Sequence, residues 1–128
     1  MLLLIAGPAL PQSSTKRLYD KHGSYSGQIQ EDGRGNSRAY DRHGAYTGKT
    51  ETGSTGDARI YDARGNYVGR KNSDGRMYDS HGSYAGREEK DSSGATRVYD
   101  SRGNYAGKIE KDGRRYDARG NYTGRTGN

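Results

Sequence analysis

Three histidines, the Asp-x-x-Gly segments of six recurring phrases and twelve tyrosines are the residues of this 128-residue chain with chemistry to offer. His22, His43 and His81 share one slot of a recurring phrase, and Arg fills that slot in the other copies. A metal ligand exchanged for Arg loses its metal, so these imidazoles read as solvated turn residues. The Asp of each phrase, from Asp20 to Asp117, lacks the spacing of an EF-hand loop and suits a turn cap better than a Ca²⁺ ligand. No HExxH, nucleophile elbow or phosphate-loop Gly-Lys-Ser occurs. With no Cys there is neither a thiolate metal site nor a disulfide scaffold. The reading is of a chain that is not an enzyme, with no catalytic residue, metal or cofactor.

The remaining chemistry is aromatic and basic. Six phrases contain every tyrosine: "RLYDKHGSYSG", "RAYDRHGAYTG", "RIYDARGNYVG", "RMYDSHGSYAG", "RVYDSRGNYAG" and "RRYDARGNYTG". The first tyrosines are Tyr19, Tyr40, Tyr61, Tyr78, Tyr99 and Tyr116. A second follows six residues later in each, at Tyr25, Tyr46, Tyr67, Tyr84, Tyr105 and Tyr122. An Arg precedes each first tyrosine by two: Arg17, Arg38, Arg59, Arg76, Arg97 and Arg114. A guanidinium over an exposed phenol ring gains about 0.5–1 kcal/mol. Phenol rings also stack on sugar rings, and Arg or Lys attracts uronate, phosphate or lipid A groups. These eighteen residues form the candidate interaction surface. The plainer reading is that Tyr, Arg and Gly simply cover the outside of a thin sheet.

The elements that must position them follow from the repeat, whose first tyrosines recur at intervals of 21, 21, 17, 21 and 17. Helix is excluded in this region by the density of Gly, each costing about 1 kcal/mol against Ala, and by the absence of a 3.6-residue apolar period. Asp at the start of a type I turn and Gly in the left-handed position at its end make a bulged hairpin turn. Asp20 then pairs with Ser24, which sets Tyr19 opposite Tyr25, Leu18 opposite Ser26 and Arg17 opposite Gly27. Each phrase is thus a β-hairpin with a Tyr–Tyr pair worth roughly 0.2–1 kcal/mol. The Gly opposite Arg leaves room for a side chain over bare backbone.

The links between phrases carry a second, outer turn. Long links exceed short ones by four residues, two per strand, and an even insertion preserves the facing of every side chain. Two-residue and bulged three-residue outer turns are both open. Taking the two-residue turn, all tyrosines share one face with the Arg of R-x-Y. The other face then carries Leu18/Ser26, Ala39/Thr47, Ile60/Val68, Met77/Ala85, Val98/Ala106 and Arg115/Thr123, and it is expected to point inward.

Leu, Ile and Val number eleven, of which only six lie beyond residue 10, too few for a thick core. Twelve short strands left open would expose two edges. The expected fold is therefore all-β: six tandem antiparallel hairpins closed into a shallow barrel, with a β-hairpin solenoid as the alternative. The repeats define one domain over residues 17 to 128. Residues 1 to 16 form a separate N-terminal segment, in which "MLLLIAGPALPQSS" has no charged residue and reads as a signal-peptide-like stretch. It lacks a basic residue after Met1, so the true start codon lies upstream or the segment is buried. The favoured reading is export, to the secreted or periplasmic and outer-envelope space.

The "YDxxGxY" phrase at this spacing resembles the YD repeats of Rhs-type and teneurin-like extracellular proteins, with Tyr where those usually carry Leu. "GRMYDSHGSYAGR" is also similar to the units of small bacterial β-flower proteins, which are shallow symmetric barrels of hairpin petals. "YDSHGSYAG" resembles choline-binding cell-wall repeats weakly, without their Trp cages. The resemblance spans residues 17 to 125. It implies a bacterial, secreted or envelope-associated repeat protein and carries over no catalytic residue.

The net charge of +6, from 22 basic and 16 acidic residues, is interspersed and suits a soluble, salt-bridged surface. Two function classes follow. One is a non-enzymatic structural or interaction protein of the envelope. The other is a binding module for anionic glycans or envelope lipids through the Tyr/Arg surface. The partners expected are envelope polysaccharide, lipid or a second copy of the chain. Nucleic acid would suit the same residues, but export argues against it.

Overall fold

The computed structural model describes residues 12–127. Among them it is all-β, with twelve antiparallel strands closed into a barrel and no helix. The strands are β1 (Ser14–Asp20), β2 (Tyr25–Glu31), β3 (Asn36–Asp41), β4 (Tyr46–Thr52), β5 (Ala58–Asp62), β6 (Tyr67–Lys71), β7 (Arg76–Asp79), β8 (Tyr84–Lys90), β9 (Thr96–Asp100), β10 (Tyr105–Ile109), β11 (Arg114–Asp117) and β12 (Tyr122–Gly127). Each pairs with its neighbours in sequence, and β12 pairs with β1. That last pairing rules out the solenoid. The signal-like stretch up to residue 11 lies outside the described residues, and β1 already includes residues 14 to 16. Strands of 4 to 7 residues fall short of the roughly 9–11 residues a membrane-spanning strand needs.

The inner turns form as their sequence dictates. Asp20 N–H donates to the Ser24 carbonyl at 2.9 Å and Gly23 N–H to the Asp20 carbonyl at 3.0 Å, with Gly23 at φ 79°. The same pattern recurs at Asp41, Asp62, Asp79, Asp100 and Asp117. Each of these carboxylates also accepts two backbone N–H groups of its own turn, as Asp20 Oδ1 does from His22 and Ser24. All six Tyr–Tyr pairs stand directly opposite in the ladder.

Beyond the tyrosine pair the register differs from the expected one. Leu18 lies opposite Gly27 and Arg17 opposite Gln28, because Ser26 is squeezed out as a β-bulge. Thr47, Val68, Ala85, Ala106 and Thr123 bulge in the same way. The bulge goes with close approach by the next hairpin. A Cβ on Gly27 would collide with the Tyr40 carbonyl oxygen, and the equivalent Gly of every unit meets the equivalent carbonyl. The Gly therefore makes room for a neighbouring backbone and does not stand beside the Arg of R-x-Y. The residues expected to pair with Leu18, Ala39, Ile60, Met77, Val98 and Arg115 leave the ladder. Most of them are exposed, Val68 at 46%.

The outer turns are the bulged three-residue kind. Asn72 pairs with Arg76 around Ser73, Asp74 and Gly75, and Gly53, Asp91 and Glu110 close equivalent loops. Such a turn, taken alone, would flip alternate hairpins. The bulge after each second tyrosine flips them back, so all twelve tyrosines do share one face with the R-x-Y arginines. The length variation is hairpin extension: the β2–β3 ladder has five residue pairs and the β6–β7 ladder three, two more per strand.

Among the described residues no side chain is fully buried, and the only buried apolar ones are Ala58 at 7% exposure and Ala95 at 5%. Leu18, Ala39, Met77, Val98 and Arg115, on the face away from the tyrosines, are half-buried, whereas Ile60 is 39% exposed. All six R-x-Y arginines are exposed. The six first tyrosines are half-buried too, so neither face is sealed from solvent. Strands approach only their ring neighbours, so the backbone ladder and these half-buried contacts hold the fold together, without a thick core.

Candidate functional site

The tyrosine face is a continuous belt. Within each hairpin the two rings meet at centroid distances of 5.9–6.3 Å, edge-on in five pairs and tilted in Tyr61–Tyr67. Such pairs add about 0.5–1.5 kcal/mol beyond their burial. The second tyrosines are the outward members, with Tyr25, Tyr46, Tyr67, Tyr84 and Tyr105 at 38–40% exposure.

Between hairpins the belt is bridged by cations. Lys49 lies 5.1 Å from the Tyr61 centroid, Arg70 4.7 Å from Tyr78 and Arg87 4.6 Å from Tyr99. Lys108 lies 5.3 Å from Tyr116, and Arg125 4.7 Å from Tyr19. Gln28 takes the equivalent place opposite Tyr40. These residues, and not the R-x-Y arginines, sit over the rings. Sequence reasoning passed over them, although a signal was there: five of the six residues following the Gly of Y-x-G are Lys or Arg. The bulge is what turns that position onto the tyrosine face.

Arg17, Arg38, Arg59, Arg76, Arg97 and Arg114 form the next row of the same face. In five hairpins this row meets the first as like charges directly opposite: Arg38 with Lys49, Arg59 with Arg70, Arg76 with Arg87, Arg97 with Lys108 and Arg114 with Arg125. Acidic neighbours offset part of this. Lys49 reaches Glu51 at 2.8 Å and Lys108 reaches Glu110 at 2.7 Å, bonds that push both ammonium pKa values up. Arg87 Nε lies 2.8 Å from Glu89 Oε1, an ion pair that lacks hydrogen-bond alignment. Arg76, Arg97 and Arg114 pair more loosely with Asp74, Asp91 and Asp112. Arg17, Arg38, Arg59, Arg70 and Arg125 have no ion pair among the described residues. In the fourth hairpin, Asp74, Arg76, Tyr78, Tyr84, Arg87 and Glu89 line an open cleft of about 660 Å³.

The three histidines are exposed on inner turns, their side chains outside the belt. The Asp20, Asp41, Asp62, Asp100 and Asp117 carboxyls are held below their ordinary pKa, chiefly by the backbone N–H bond closing each turn. Comparison of the chain with protein-family models, curated proteins and solved structures finds no match.

Proposed function

We propose that this chain is a non-enzymatic interaction protein of the secreted or cell-envelope space, built from YD-type hairpin repeats of the β-flower kind, and that its contact surface is the tyrosine–cation belt. The observation that carries this reading is the five like-charged pairs across the ladder. Like charges directly opposite destabilise a sheet, so a fold that repeats them keeps them for something outside itself. Export is supported by the uncharged apolar residues at the start of the chain.

The same pairs, with exposed phenol rings beside them, favour a second and more specific reading: a module that binds anionic glycans or the headgroups of anionic envelope lipids. An anion placed between two opposed guanidiniums relieves their repulsion, while the rings offer a stacking surface. The test is retention of the full chain on dextran sulfate against neutral dextran, with phosphatidylglycerol and phosphatidylcholine vesicles alongside. Retention on the anionic supports, released by salt, is the expected result. Passage through both anionic supports at low salt would remove the glycan and lipid reading and leave an interaction surface for protein partners.

A further inference from the structure

Twelve strand pairings close the ring, and a turn spans every one except β12–β1. At that seam Asp20 pairs with Gly124, Tyr19 with Arg125, Leu18 with Thr126 and Arg17 with Gly127. The internal joint between β2 and β3 pairs Asp41 with Gly27, Tyr40 with Gln28, Ala39 with Ile29 and Arg38 with Gln30. The same repeat positions meet in the same order. The seam therefore reproduces an internal joint in everything but the covalent link. Each chain carries two edge strands that fit each other, and a β12 edge cannot distinguish its own β1 from that of another copy.

The seam also has a residue of its own. The position before the first tyrosine is Leu18, Ala39, Ile60, Met77 and Val98 in five units and Arg115 in the sixth. Arg115 Nη1 donates to Thr126 Oγ1 at 2.7 Å, and Nη2 donates to the Tyr19 carbonyl at 3.2 Å. The side chain reaches from β11 past Gly124 of β12 to β1, and a Cβ on Gly124 would lie 2.7 Å from Nη2. The single departure from the apolar pattern thus falls where the ring lacks a covalent tie.

We infer that the β1 and β12 edges form an exchangeable seam whose partner is a second copy of this chain: β12 of each copy pairs with β1 of the other, giving a two-chain ring of twelve hairpins. This is domain exchange at unstrained register. Two separate rings and one joined ring contain the same number of seams. Arg115 therefore sets how fast copies exchange and leaves the balance between one-chain and two-chain rings nearly unchanged. That balance is set by the effective concentration at which a chain's own β12 meets its β1, held by the hairpins between them, and by the curvature of the larger ring.

The test is refolding of the full chain from urea at about 10 µM and about 1 mM, so that pairing between copies competes to different extents with closure of one ring, followed by size-exclusion chromatography with light scattering. A dimer that grows with refolding concentration is expected. Leu18→Cys with Thr126→Cys reports the seam directly in a chain that has no cysteine of its own. Thr126 N–H donates to Gly113, towards β11 and away from β1, so Leu18 and Thr126 form a non-hydrogen-bonded pair. Cα atoms in such a pair are about 4.5 Å apart, within disulfide reach. On oxidation the monomer fraction should keep its mass in a denaturing gel, and the dimer fraction should become covalent. Arg115→Met should speed the mixing of heavy- and light-labelled chains by about tenfold, as loss of its two hydrogen bonds implies, at an unchanged dimer fraction. Absence of dimer at every concentration, or a dimer whose disulfides all stay within one chain, overturns the inference. An Arg115→Met chain that mixes no faster than wild type overturns the role given to Arg115.

Discussion

Gly48 and the carbonyl of Tyr61 touch backbone to backbone, with no room between them for a Cβ, and Gly48 holds φ 152°. That contact joins the second hairpin to the third and fixes where the bulge at Thr47 must fall. Gly48→Ala adds backbone strain to overlap and should cost about 3 kcal/mol. Gly44 occupies an inner turn with open space around it, so Gly44→Ala meets only the strain of its φ of 81° and should cost about 1 kcal/mol. Urea melts of the two variants give the comparison, and equal losses would remove the close-approach argument.

The tyrosine pair should be a separable contribution. Tyr61→Ala, Tyr67→Ala and the double variant form a thermodynamic cycle, and a coupling of about 0.5–1 kcal/mol is expected from a tilted pair in a half-exposed setting. Zero coupling would mean that the rings only happen to be near one another.

Arg59 and Arg70 face each other and neither makes an ion pair among the described residues, Glu51 standing opposite Arg59 on β4 beyond ion-pair distance. Arg59→Gln should therefore raise stability slightly, by roughly 0.2–0.5 kcal/mol, and more at low salt than at high. The same change should lower the salt concentration that elutes the protein from dextran sulfate. Stability and retention moving in opposite directions is the signature of a charge kept for binding. A variant that loses stability would place Arg59 among the packing residues instead.

Acid should loosen the inner turns. The folded pKa of Asp20, Asp41, Asp62, Asp100 and Asp117 lies below the ordinary 3.8, because the ionised carboxylate accepts backbone N–H bonds. A depressed folded pKa contributes stability that is complete well above 3.8 and declines as pH falls through the folded value. Thermal melts should be flat from neutral pH down to about 5 and fall steeply below about 4. Asp62→Asn keeps one acceptor oxygen but loses the charge, so it should flatten its share of that acid slope. A melting temperature independent of pH down to 2 would contradict this account.

The hairpins were legible in the sequence because their determinants are local. Asp20 and Gly23 close their turn within four residues, and that closure alone sets Tyr19 against Tyr25. Strand lengthening by two residues per strand was equally readable, since it changes no facing. The cation belt was only half legible. The R-x-Y arginines were assigned to the tyrosine face, but the residues over the rings, such as Arg70 and Lys108, come into place through a bulge and are marked in the sequence only by their recurrence after the Gly of Y-x-G.

By itself the sequence determined the all-β class, the six turns, the tyrosine pairs and the shared face of tyrosine and R-x-Y arginine. The last of these holds for a reason different from the one read along the chain. A two-residue outer turn without a bulge and a three-residue outer turn with one give the same parity, although Asp91-Ser92-Ser93-Gly94 carries the Asp-x-x-Gly spacing of the bulged inner turns. Tertiary structure decides, because the bulged Gly packs against a carbonyl belonging to the next hairpin. Ring closure is of the same kind. Whether β12 meets β1 depends on curvature accumulated over six hairpins, and the residue that marks the meeting, Arg115, stands in sequence as an irregularity and in the folded ring as the tie across the seam.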